Sequence, residues 1–149
     1  MGHGLGSYIA TAALNEIYQN NLTPARSNQL MARPFPIGSG RDLAKREEHR
    51  RRMLSEAGFA VFVDGRGPQS PGIMEEYRLS REMGCLPIPI GATGNTAVQI
   101  WEKVAADGVN VFGERWQAIS ADFRNLNTVD LASEAMVGSV VRILDLLRQ

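Results

Sequence analysis

The chain has 149 residues, of which 44% are hydrophobic and 21% are charged. This length predicts one domain, and this composition is typical of a soluble globular protein rather than of a disordered, collagen-like, coiled-coil or membrane protein. Sixteen basic residues balance sixteen acidic residues. The resulting zero net charge argues against nucleic-acid binding by the surface as a whole.

The lack of recognisable targeting signals and the single cysteine together predict a cytoplasmic location. No apolar stretch approaches the ~18 residues of a membrane span, and no basic segment followed by an apolar run marks a secretory leader. Gly6 stands where a myristoylation signal needs Ser or Thr. Cys85 is the single cysteine, so no intrachain disulfide can form. We therefore expect an unprocessed cytoplasmic chain, or a fragment of one.

Helices are predicted to alternate with short apolar strands along the chain. The first half of the prediction comprises a helix around Tyr8–Tyr18, an extended segment at Leu30–Phe35, a charged helix at Arg41–Ala57 and a strand at Phe59–Val63 that is buried on both faces. The second half comprises a loop at Gly65–Gly72, a helix from there to about Met83, a buried strand at Leu86–Ile90, a helix at Asn95–Ala106 and a last helix at about Val129–Leu147.

This alternation predicts βαβ units and a parallel sheet. The expected fold is α/β and Rossmann-like, with a doubly wound, mostly parallel sheet flanked by helices. Ligands of such sheets bind at the carboxyl ends of the strands. We therefore expect function in the loops that follow Phe35, Val63 and Ile90.

The first residues have two interpretations. Gly2–Ser7 runs straight into a helix and is typical of the glycine-rich turn that presents backbone N–H groups to a phosphate. No strand precedes it, and a flexible glycine-rich terminus explains the segment equally well. The alternative is that the chain begins inside a domain and lacks its first strands.

Two arginines are candidates for binding an anion. Most charges of the Arg41–Arg52 segment form i,i+4 pairs that a solvated helix face explains. Arg50 instead follows the apolar stripe of that helix, so it needs either an acidic partner or an anionic ligand. Arg33, at the end of a predicted strand and before Pro34, is either a phosphate ligand or a surface arginine.

Two further segments have both a structural and a functional interpretation. Glu75 and Glu76 follow Gly72 in the first turn of a helix, where the helix dipole favours acids and where carboxylates can also bind ribose hydroxyls. The segment Gly91–Gly94 is either an ordinary strand-to-helix turn or a backbone nest for an anion.

The sequence lacks the motifs of several common catalytic and metal-binding sites. The sequence has no Walker lysine motif, no Gly-x-Ser-x-Gly elbow and no paired Cys/His spacing for zinc. His3 and His49 are the only histidines, which argues against a histidine-based triad. Cys85 precedes an apolar strand, where a packed and inert thiol is expected.

The motifs together resemble one family. In order along the chain they are the glycine turn at residues 4–7, RPFP at 33–36, HRRRM at 49–53, GIMEEY at 72–77, and PIPIGATG at 87–94 followed by Trp101. This order resembles SLOG domains, in particular the sirtuin- and TIR-associated type found at the C-terminus of Thoeris antiphage effectors.

The resemblance implies a Rossmann-like sensor for a cyclic ADP-ribose-type nucleotide in antiphage defence. It implies one nucleotide-sensing domain over residues 1–149 that lacks its N-terminal strands, has no catalysis or cofactor of its own and regulates a linked NADase or TIR effector. It further implies a homo-oligomer without a nucleic-acid or membrane partner; lost strands would also expose apolar edges that favour dimerisation.

By motif position, the resemblance also implies a ligand-binding set. Arg33 and Arg50 would bind phosphates, Glu75 or Glu76 a ribose, and the two glycine turns would supply backbone donors. The whole set is Gly4, Leu5, Gly6, Ser7, Arg33, Phe35, Arg50, Gly65, Gly72, Glu75, Glu76, Gly91, Thr93 and Gly94.

Two alternative functions remain open. The related LOG proteins are phosphoribohydrolases that release the base from a nucleoside 5'-monophosphate, and their signature resembles Pro-Gly-Gly-x-Gly-Thr before two glutamates. Here Gln69, Ser70 and Pro71 replace those glycines, which favours binding over catalysis. Nucleic-acid binding through the Arg41–Arg52 helix, as in the DNA-processing branch of the superfamily, is disfavoured by the interleaved acids.

Overall fold

A computed structural model of the chain describes residues 42–64, 67 and 70–149. The glycine turn at residues 4–7, the predicted helix and strand before residue 42, and Gly65 lie outside these residues. Asp42–Gln149 forms one compact unit.

The described residues contain six helices and two strands. In chain order they are α1 (Leu43–Leu54), β1 (Phe59–Val63), α2 (Pro71–Glu82), β2 (Leu86–Ile90), α3 (Asn95–Ala106), α4 (Gly108–Phe112), α5 (Trp116–Asn125) and α6 (Ser133–Arg148). Short 3-10 turns occupy Gly91–Thr93 and Gly113–Arg115. Within this part of the chain, every helix is too short or too polar to cross a bilayer.

The strands and α3 have the predicted bounds, whereas α1 and α6 are shorter than predicted. Asp42 caps α1 by accepting a hydrogen bond from the Lys45 backbone N–H at 3.0 Å, so the helix begins at Leu43. The prediction that the last helix begins near Val129 is wrong by one turn, because a Leu131 N–H to Thr128 carbonyl bond closes a separate turn there. Helices α4 and α5 were not predicted.

The sheet of the described unit is a parallel pair. Residues Phe59 to Val63 pair in register with Leu86 to Ile90, and α2 connects the two strands. This βαβ unit, flanked by helices, confirms the predicted α/β Rossmann-like fold.

The core lies around β2 and is formed by α2 and by the helices that follow the strand. Its largest fully buried side chains are Phe123, Leu79, Ile88, Ile100, Ile119, Leu126 and Ile143. Burial of apolar surface on this scale is the main stabilising contribution to such a unit.

The prediction that β1 is buried on both faces is wrong. Successive side chains of a strand point to opposite faces, and Phe62 faces the core while Val61 remains 51% exposed. Val61 faces a groove of about 190 Å³ beside α1, where Met53 and Leu54 cover the strand only in part.

Aromatic side chains pack the helices that follow α3 against it. Trp101 stacks on Phe123 at a centroid distance of 5.9 Å, and its Nε1–H donates to the Phe123 carbonyl at 2.9 Å. Trp116 lies directly against the Cα of Gly108, so close that a Cβ there would collide with the ring. Trp101 also lies against Gly91, so the aromatic cluster packs beneath the loop that follows β2.

Candidate functional site

A cleft of about 330 Å³ lies between α1 and the start of α2. Ligand pockets range from roughly 300 to 1,000 Å³, so this cleft suits part of a nucleotide. The described residues that line it are Leu43, Arg46, Glu47, Arg50, Pro71, Gly72 and Glu75. Three of them, Arg50, Gly72 and Glu75, belong to the predicted ligand-binding set.

Arg50 is the buried charge of this site. It is 6% exposed although it lies on a highly charged helix. Its Nε–H donates to Glu76 Oε1 at 3.1 Å, so the structure supplies the acidic partner that the sequence left as one of two alternatives. Arg50 also lines the cleft, so the same side chain is in a position to bind an anionic ligand.

Gly72 makes room for the guanidinium. A Cβ added at Gly72 would lie 3.1 Å from Arg50 Nη2, tighter than an ordinary contact. Pro71 occupies the first position of α2, where a missing N–H costs nothing. The start of α2 and Arg50 are therefore fitted to each other.

Glu75 contributes an ionised carboxylate to the cleft. Arg78 donates to it through Nε at 2.9 Å and through Nη2 at 2.6 Å. These hydrogen bonds hold the pKa of Glu75 below its usual value. At neutral pH the carboxylate can only accept hydrogen bonds, which suits it to hydroxyl donors such as those of ribose.

An ion-pair network joins α1 to α2 behind the cleft. Arg51 Nη2 lies 2.8 Å from Glu47 and 3.1 Å from Glu82, and Arg78 contacts Glu82 as well as Glu75. The hydrogen bonds that Arg51 donates to Glu47 and Glu82 raise the pKa of Arg51. Because Glu47 and Glu75 are both held by arginines outside the cleft lining, their repulsion of an anion is reduced.

Sequence reasoning missed Arg46 as a residue of the cleft. Arg46 is one of the charges of the Arg41–Arg52 segment that a solvated helix face explains, but it lines the cleft one helical turn before Arg50. The signal that finds it is the i,i+4 spacing to Arg50, which places both side chains on the same side of α1.

The same helix does not offer a continuous basic surface. Arg50 is buried, and Arg51 is engaged by glutamates from α1 and α2. Nucleic-acid binding needs exposed cations in a row, and the absence of a nucleic-acid partner remains a prediction.

The segment Gly91–Gly94 is used to join the ends of the two strands. Thr93 Oγ1 accepts from the Asp64 N–H at 2.7 Å and donates to the Ile90 carbonyl at 2.6 Å. The N–H of Gly94 donates to the Gly91 carbonyl at 2.8 Å, and its φ of 81° requires glycine. Among the described residues lining the cleft, none comes from this segment. The roles predicted for Gly91, Thr93 and Gly94 toward a ligand remain predictions.

The first turn of α3 is tied to the end of β1 by polar contacts. Asp64 and Asn95 both have positive φ values, 52° and 51°, and the Asn95 side-chain amide donates to Asp64 Oδ1 at 2.6 Å. Asp and Asn are the residues other than glycine that best tolerate this conformation. This contact links the carboxyl end of β1 to the start of α3.

The remaining predicted contacts lie outside the described residues: Gly4, Leu5, Gly6, Ser7, Arg33, Phe35 and Gly65. In the part of the chain that the structure covers, no three His, Cys, Asp or Glu side chains come together in a way that could hold a metal ion.

The parallel βαβ unit and its charged cleft define a Rossmann-like α/β domain. The chain belongs to the Sir2- and TIR-associating SLOG (STALD) family, which matches it over residues 1–147.

Curated proteins of similar sequence are consistent with this family assignment. The NAD(+) hydrolase ThsA of Bacillus cereus (strain MSX-D12) is 26% identical over 152 residues, which cover 98% of this chain and 32% of that protein. The protein of the same name from Cytobacillus dafuensis is 27% identical over 99% of this chain and 31% of its own length. The protein of the same name from Acinetobacter baumannii (strain 532279) is 27% identical, and the match covers 85% of this chain and 29% of that protein. The chain thus spans about a third of the length of the curated relatives that it matches.

Proposed function

We propose that this domain is a nucleotide sensor that binds a cyclic ADP-ribose isomer or a related ADP-ribose nucleotide without converting it. The observation that carries the proposal is the α1–α2 cleft, in which Arg46, Arg50 and Glu75 meet beside the start of a helix. Guanidinium groups suit phosphates, and an ionised carboxylate suits ribose hydroxyls. The family membership is in keeping with this ligand class.

The loop before α2 favours binding over the phosphoribohydrolase alternative. Pro71 has no N–H, and the Ser70 N–H donates to Thr96 Oγ1 at 2.8 Å. Thr96 is fully buried and itself donates to the Gly67 carbonyl at 3.1 Å. These two backbone positions therefore have no N–H to offer to the phosphate of a nucleoside monophosphate.

The sensor is proposed to regulate a linked NAD-degrading effector in antiphage defence. The named relatives are NAD(+) hydrolases of which this chain matches about a third, so most of each relative's length is available for that activity. In the full-length protein, ligand binding would change the self-assembly of a cytoplasmic homo-oligomer. Light scattering of the full-length protein with and without ligand tests this, and an unchanged mass contradicts it.

Calorimetry with cyclic ADP-ribose isomers tests the ligand and the site together. Hydrogen bonds to charged groups contribute about 1.5–3 kcal/mol, so Glu75→Gln and Arg33→Ala should each weaken binding roughly tenfold or more. Glu114→Gln is the matched control, because Glu114 is exposed and does not line the cleft. Unchanged affinity in both site variants would overturn the site.

Incubation with AMP, followed by chromatography, separates the enzyme from the sensor. The proposal predicts that AMP is recovered intact. Released adenine would favour the phosphoribohydrolase instead.

A further inference from the structure

Glu75 and Glu76 are neighbours in sequence but face different surroundings. Consecutive residues of an α-helix are rotated by about 100°, so their side chains diverge. Glu75 lines the α1–α2 cleft. Glu76 lines the groove beside β1, together with Val61 and Phe62.

Arg50 spans the boundary between these two cavities. It lines both the cleft and the groove. Its Nε edge meets Glu76 at 3.1 Å, while its Nη2 atom lies against Gly72 at the cleft. Glu76 therefore holds the guanidinium where it borders the cleft.

Each carboxylate has its own arginine. Glu75 is held by Arg78 of the same helix, three residues on, whereas Glu76 reaches Arg50 of α1, 26 residues earlier in the chain. Glu75 can turn its remaining acceptor capacity to the cleft, because an ionised carboxylate offers about four lone-pair sites. Among the described residues that line the cleft, Arg50 donates a hydrogen bond to Glu76.

We infer that Glu76 is a positioning residue that fixes the guanidinium of Arg50 toward the ligand phosphate, in contrast to Glu75, which in the proposed function binds ligand hydroxyls directly. The inference rests on the proposed function, since it names which carboxylate meets the nucleotide. It replaces the sequence-based alternative of Glu75 or Glu76 with a distinct assignment for each.

The first test needs no ligand. In a 15N-labelled chain, the Nε–H resonance of Arg50 is assigned by its loss in Arg50→Lys. Glu76→Gln should shift that resonance and speed its exchange with water, because the charge-assisted hydrogen bond becomes a neutral one. Glu75→Gln should shift it less, because the hydrogen bonds of Glu75 come from Arg78. If Glu76→Gln leaves the Nε–H resonance of Arg50 unchanged, the positioning role is overturned.

The second test is a double-mutant cycle in calorimetric binding of a cyclic ADP-ribose isomer. In the parent, Glu75→Gln and Glu76→Gln should each weaken binding roughly tenfold. In the Arg50→Lys background, which keeps the charge but loses the planar fork, Glu76→Gln should weaken binding less than twofold. Glu75→Gln should keep its full effect there, because it does not act through Arg50.

The outcomes separate this inference from the proposed function. If the parent binds and the effects of Glu76→Gln and Arg50→Lys multiply independently, the positioning role is wrong while the sensor function stands. If Glu75→Gln binds like the parent, the direct role of Glu75 is wrong. If the parent binds none of the isomers, the proposed function falls, and the ligand role of Glu75 falls with it. Circular dichroism confirms that each variant is folded.

Discussion

Gly91→Ala should destabilise the domain by overpacking the loop that follows β2. A Cβ on Gly91 would lie 2.5 Å from Asn127 Oδ1 and 3.0 Å from the Cβ of Trp101. Trp101 cannot easily yield, since its indole N–H is bound to the Phe123 carbonyl and its ring stacks on Phe123. Overpacking costs typically 1–3 kcal/mol, so we expect the free energy of unfolding to fall by about 2 kcal/mol.

Urea denaturation monitored by tryptophan fluorescence measures this effect. Gly58→Ala is the matched control, because a Cβ there meets nothing within 4 Å; we expect stability equal to the parent or higher by up to about 1 kcal/mol. Adding Asn127→Ala to Gly91→Ala should recover part of the loss by removing the nearest clashing atoms. A Gly91→Ala variant as stable as the Gly58→Ala control would refute the packing argument.

Three further predictions concern the core, a charge pair and the thiol. Ile88→Ala, at a fully buried position, should lose about 2–5 kcal/mol in the same urea assay, whereas Val61→Ala, at a half-exposed one, should change stability by about 0.5 kcal/mol or less; equal effects would contradict the burial of Ile88 and the exposure of Val61. Hydrogen bonds from Arg142 lower the pKa of Asp122 in the folded state. Its stabilisation is therefore complete above the unfolded value of about 3.9 and is lost as pH falls through the folded pKa. The stability difference between the parent and Asp122→Asn should shrink below about pH 4, and a difference that persists at the lowest pH would contradict the pairing. Burial raises the pKa of Cys85, so Ellman's reagent should label it slowly in the native chain and rapidly in urea; fast native labelling would show that it is accessible.

Local patterns were enough to predict the strands and α3. Apolar runs bounded by glycine and proline placed Phe59–Val63 and Leu86–Ile90 with the observed bounds. Helices α4 and α5 escaped prediction although Phe112, Trp116 and Ile119 recur at helical spacing, because Gly108 and Gly113 interrupt the pattern. The glycine at 108 is explained only by the ring of Trp116 that lies on it.

Three residues of the candidate cleft, Arg50, Gly72 and Glu75, belong to the set predicted from the sequence, but their contacts could not be predicted. The apolar stripe around Arg50 correctly indicated a buried arginine that needs a partner. Its partner Glu76 lies 26 residues away, and no local pattern relates the two. The rotation of α2, which sends Glu75 to the cleft and Glu76 to Arg50, is likewise set by packing against α1 and the strands.

Titration of the parent chain with cyclic ADP-ribose isomers, followed by mass spectrometry of the recovered ligand, tests the central claim most directly. The account predicts saturable binding of at least one isomer at one site per chain, with the nucleotide recovered intact. Absence of heat with every isomer, or recovery of a hydrolysed nucleotide, would contradict a non-catalytic sensor.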